Sequence, residues 1–137
     1  MRSRPVYASC VRVFLVRHAE AAPGEPDELR ALTAEGHEQA RQLGDRLRAD
    51  GIEPDAVLSS PLLRARETAA DLGFGTPEPR EELGPGTTVA DVRAAVAGRG
   101  DTVVVVGHQP DCSEIAAALS GGPEPKFPPA GLQILEL

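Results

Sequence analysis

The sequence predicts an α/β domain of three layers: a largely parallel central sheet with helices on both faces. Three observations carry this. Short apolar runs at 11–16, 55–59 and 102–106 alternate with stretches of helical period. Val103, Val104, Val105 and Val106 are consecutive, the pattern of a central parallel strand buried on both faces. Two of the runs stop at a histidine, Arg17-His18 and Gly107-His108, and in open α/β sheets ligands sit just past the carboxyl ends of strands.

The elements follow in order. Val11 to Val16 reads as the first strand, and residues 19–32, rich in Pro, Gly and acids, as a surface loop. Thr33 is a good N-cap for a first helix, with Glu35 in its first turn. Ala40, Leu43, Gly44 and Leu47 share one face, and Gly51 ends the helix. Asp55 to Ser59 is a second short strand. Ser60-Pro61 then offers a capping serine and a first-turn proline for a helix reaching about Leu72. Residues 73–85 read as loop, with one short extended piece near Glu78. A helix over Val89–Val96 ends at Gly98. The valine strand follows, then a helix opened by Gln109-Pro110 and closed by Gly121-Gly122. Leu132 to Leu137 alternates weakly, as an edge strand does.

The chain has 137 residues and is 41% hydrophobic, enough for one packed domain over 11–137, with residues 1–10 as a loose leader. The formal net charge of −7 argues against nucleic acid and anionic membranes as partners. Two cysteines are too few for a disulfide framework, and neither a signal peptide nor a membrane-length apolar run is evident, so a cytoplasmic location is expected. Cys112 follows His108 by four residues, but a third zinc ligand is not evident, so neither metal nor cofactor is expected.

Two of the three histidines stand directly after strands, each beside positive charge or a helix start. A neutral imidazole is a nucleophile, and an adjacent guanidinium holds an anion before it. His18 is thus the candidate nucleophile, with Arg17 next to it. Arg64, in the first turn of the second helix, and His108 are candidate anion donors. His37 reads as surface, and Arg66 as surface or ion-paired. Lys126 and Arg30 are possible rim residues.

At these residues the sequence resembles the histidine phosphatase (phosphoglycerate-mutase-like) superfamily. Leu15-Val16-Arg17-His18-Ala19-Glu20, the segment from Ser59 to Thr68, and Val106-Gly107-His108-Gln109-Pro110 look like its three signature blocks. Leu32 to Ala40 matches a fourth, less specific one. The short length and the closing Phe127 to Leu132 segment look most like the SixA group of phosphohistidine phosphatases. The resemblance implies a phosphoglycerate-mutase-like fold and a hydrolase without a metal. It implies His18 as the residue phosphorylated, with Arg17, Arg64 and His108 binding the phosphoryl oxygens. Glu82 falls where larger relatives carry a general acid. Ala19 stands where the superfamily usually has glycine, so modest crowding is expected there. The expected substrate is a phosphohistidine-bearing protein. The alternatives are a small phosphate ester and, beyond enzymes, a phosphate-binding module without turnover.

Overall fold

The computed structural model describes residues 10–137; of the expected leader, all but Cys10 lies outside them. Five strands form one sheet: β1 (Arg12–Arg17), β2 (Ala56–Ser59), β3 (Glu78–Pro79), β4 (Thr102–Gly107) and β5 (Leu132–Glu136). Their order is β3-β2-β4-β1-β5. β3, β2, β4 and β1 run parallel, and β5 joins the β1 edge antiparallel. The helices are α1 (Ala34–Ala49), α2 (Leu63–Asp71), α3 (Val89–Val96) and α4 (Asp111–Ser120).

The strand side chains sort by parity onto two faces, as a period of two requires. Val13, Leu15, Leu58, Val103 and Val105 pack with Val92 and Val96 of α3 and Ile115 of α4. Phe14, Val16, Val57, Val104 and Val106 pack with Leu43 and Leu47 of α1 and Ala65 and Ala69 of α2. The valine run therefore feeds both cores, because β4 is central and has helices on each side. This is the three-layer, phosphoglycerate-mutase-like arrangement expected.

Thr33 caps α1 by accepting from Gly36 N–H, and Thr88 forms a reciprocal capping box with Asp91 at α3. At Gly44 a side chain would collide with the main chain of Leu72, so glycine lets α1 lie against the end of α2.

Three local readings change. Ser60 does not cap α2: the helix starts at Leu63 after an N-cap Leu62, and Ser60 Oγ lies 2.7 Å from His108 Nε2. The loop at 19–32 contains a 3-10 turn, Asp27–Leu29, and an Ala21–Leu32 bridge. His37 is not idle surface: Nδ1 lies 2.6 Å from Asp71 Oδ2, tying α1 to α2.

Candidate active site

β1 and β4 are neighbours in parallel register, Arg17 beside Gly107, so the chain leaves both strands at the same end of the sheet. That alone brings His18 and His108 together. Their ring centroids are 5.3 Å apart, at an interplanar angle of 57°. Residues 90 positions apart in the chain thus become neighbours because two parallel strands are adjacent.

His18 Nδ1 lies 2.7 Å from the Ala19 carbonyl oxygen. A carbonyl only accepts, so Nδ1 carries the proton and Nε2 keeps its lone pair in the neutral ring. The ring is held neutral, with its pKa lowered to about 4. Burial is the largest cause, and Arg64, Arg17 and Arg30 add to it, while the Ala19 hydrogen bond opposes it. The arginines are therefore secondary to burial.

Arg17 closes β1 and donates through Nη1 to the Phe127 carbonyl at 3.0 Å. Arg64, 7% exposed, donates from Nη1 to the Asp27 carbonyl at 2.9 Å and from Nη2 to Asp27 Oδ2 at 3.2 Å. Arg30 donates to the other Asp27 oxygen. These two arginines hold the exposed Asp27 carboxyl below the usual carboxylate range, with Arg30 the first cause. His108, 4% exposed, is also lowered to about 4, first by burial and then by His18 and Arg64.

Among the described residues, the buried side-chain polar atoms without a partner are Arg17 Nε, Arg64 Nε, His108 Nδ1 and Thr87 Oγ1. Buried donors are rarely left unpaired, since the desolvation is then uncompensated. Here three of the four belong to the candidate anion-binding residues. Unpartnered nitrogens on two guanidinium groups and an imidazole are the chemistry that suits an oxyanion.

Ala19 does not crowd this space. Its methyl packs with Leu32 and Ala40, and its N–H donates to Thr68 Oγ1 at 2.9 Å. Thr68 in turn donates to the Arg64 carbonyl, so one α2 hydroxyl braces both the loop after His18 and the Arg64 turn. Glu82, the expected general acid, has a partner of its own. Its carboxylate pairs with Arg80, 2.8 Å from Nη2, inside a network that includes Glu78 and Arg99. The Arg80 contact holds the Glu82 carboxyl below its ordinary range. Arg66 donates to the Pro61 carbonyl. Phe127, whose carbonyl takes Arg17, also borders a groove of about 630 Å³ lined by Gln109, Ser113, Pro125 and Lys126. Among the described residues no group of three or more His, Cys, Asp or Glu could hold a metal, and no helix is long and apolar enough to cross a membrane.

Residues 13–83 match the model of the histidine phosphatase superfamily (branch 1). The chain belongs to the histidine phosphatase superfamily. It is 31% identical over 125 residues to the phosphohistidine phosphatase SixA of Escherichia coli K12, covering 84% of this chain and 78% of SixA. It is 34% identical over 138 residues to an uncharacterised protein of Mycobacterium tuberculosis H37Rv, covering 89% of this chain and 87% of the relative. The solved structure of the protein histidine phosphatase SixA complexed with tungstate superposes with a TM-score of 0.82 at 30% identity, covering 90% of this chain and 86% of that one. In sequence and fold this histidine phosphatase is of SixA type, and its class of chemistry is phosphoryl hydrolysis.

Sequence reasoning missed Asp27, Ser60 and Thr68. Asp27 was hidden in an acidic loop whose path only the fold reveals. Ser60 carried a signal, but a serine before a proline reads first as a helix cap. Thr68 was within a recognised block, yet its role depends on where the loop after His18 returns.

Proposed function

We propose that this histidine phosphatase removes the phosphoryl group from phosphohistidine on a protein, through a covalent phospho-His18 intermediate. The observation that carries the reading is the His18 ring: neutral, tethered through Nδ1, with the Nε2 lone pair free and three buried nitrogens on Arg17, Arg64 and His108 without partners. In the first step Nε2 attacks phosphorus in line. The bond from phosphorus to the substrate imidazole nitrogen breaks, and that nitrogen takes its proton from solvent. In the second step water attacks the same phosphorus, the bond to His18 Nε2 breaks, and inorganic phosphate leaves with neutral His18 restored. Arg17, Arg64 and His108 meet the charge on the equatorial oxygens, which is where phosphoryl transfer needs fixed donors. Positive charge from two arginines supplies what a metal would, so the proposed steps route through none.

Two observations support a phosphoramidate over an ester. Imidazole is a far better leaving group than an alkoxide, so it needs little acid assistance, and Glu82 is held ionised by Arg80. The groove from Gln109 to Phe127 leaves room beside the site for polypeptide flanking a phosphorylated side chain. SixA, the relative complexed with tungstate, is itself described as a protein histidine phosphatase. The test is a rate comparison between a phosphohistidine protein and small phosphate monoesters, with His18→Ala as control. Faster turnover of the phosphohistidine protein is expected. Preference for the esters would replace this substrate assignment, and undiminished turnover by His18→Ala would reject the nucleophile.

A further inference from the structure

His108 is nearly fully buried and its neutral ring has one N–H and one lone pair to place. Nε2 lies 2.7 Å from Ser60 Oγ, and Ser60 is 0% exposed. Ser60 Oγ already accepts from the Leu62 N–H at 3.2 Å. The neighbouring hydroxyl does not compete: Ser59 donates to the Ser60 carbonyl.

Two tautomers are possible, and they are unequal. If Nε2 carried the proton, it would donate to Ser60 Oγ, and the serine proton would be buried without a mapped acceptor. Nδ1 would then be a bare lone pair, repelled by phosphoryl oxygens. If Ser60 donates instead, its oxygen accepts from Leu62, its proton reaches Nε2, and the remaining N–H sits on Nδ1. Nδ1 is the ring nitrogen left without a partner. That arrangement satisfies every group except the donor an anion would take.

We propose that Ser60 is a positioning residue whose hydroxyl donates to His108 Nε2, holding the ring in the tautomer that offers Nδ1–H to a phosphoryl oxygen. The use of that donor in catalysis rests on the phosphoryl-transfer reading above; the tautomer itself does not. Sequence spacing places Ser60 at a helix start, and the fold turns its hydroxyl to the ring instead.

The test begins with long-range ¹H–¹⁵N spectra of the free protein near neutral pH. Wild type should show a protonated Nδ1 and an unprotonated Nε2 on His108. In Ser60→Ala the population should move toward the Nε2–H form, and kcat should fall roughly 10- to 100-fold, the usual size of losing a group that orients another. A purely structural serine would lower the melting temperature and leave the tautomer in place. A protonated Nε2 in wild type overturns the inference even if Ser60→Ala does not fold. An unmoved tautomer in Ser60→Ala overturns it as well, and a moved tautomer with unchanged kcat overturns its catalytic half. If the tautomer behaves as stated but no phosphohistidine or ester substrate is turned over, the proposed function fails and the tautomer assignment stands.

Discussion

Lowering the pH should strike at the two site histidines in a window that the structure defines. Both are lowered from 6.5 to about 4, chiefly by burial, and the arginines add to this. Between those two values the unfolded chain binds protons that the folded chain refuses. Stability is therefore fully present above about pH 6.5 and is lost as pH falls toward 4. For His108, at 4% exposure, the gap corresponds to roughly 3 kcal/mol. The half-buried His18 contributes less, because solvent reaches it. The rings also repel when both are charged, so they titrate as a pair. The assay is urea unfolding of wild type and His108→Gln from about pH 7.5 to 4.5, a range that covers most of the window. Acidic side chains respond alike in both proteins, so the difference reports His108 together with its coupling to His18. His108→Gln should lose about 2–3 kcal/mol less across the window. In parallel, the acid limb of kcat/KM, corrected for substrate ionisation, should fall near pH 4, since it reports the free enzyme. Equal losses in both proteins, with an acid limb near 6.5, would refute the argument that burial keeps these rings neutral.

Arg64→Lys should lower kcat/KM for phosphohistidine about 100-fold, because a lysine cannot keep both Asp27 contacts and still present a donor to the anion. Steady-state kinetics beside an unchanged melting curve would establish it. Glu82→Gln should leave phosphohistidine turnover within about twofold, since the carboxylate serves Arg80 rather than a leaving group. A large loss would restore the acid role to Glu82. Gly44→Ala should destabilise the fold by about 3 kcal/mol or more, by driving α1 off the Leu72 main chain, and thermal melts would read it.

Much of this was legible because it is local. The valine run announces a central strand, and Arg17-His18 and Gly107-His108 announce strand ends, whatever lies elsewhere. Parallel neighbours then force the two histidines together. Long-range polar pairing was not legible. Asp27 meets Arg64 across 37 positions, and His37 meets Asp71 across 34, so neither partner can be read from spacing. Ser60 shows how a local rule falls short: a serine before α2 reads as a cap, but the helix starts at Leu63 and the Ser60 hydroxyl, which accepts from Leu62 N–H, also meets the buried His108 ring. Glu82 likewise has a partner that its place in the sequence did not announce, the Arg80 guanidinium.

In the proposed reaction the Nε2 lone pair of His18 takes the phosphoryl group. The most direct test is to incubate the protein with a labelled phosphoramidate, quench in base, and map the modified residue and nitrogen by mass spectrometry and ³¹P NMR. Acid-labile phosphate on His18 at Nε2 is expected, because Nδ1 is tied to the Ala19 carbonyl. Label on Nδ1, label on another residue, or turnover without any phosphoenzyme would contradict it.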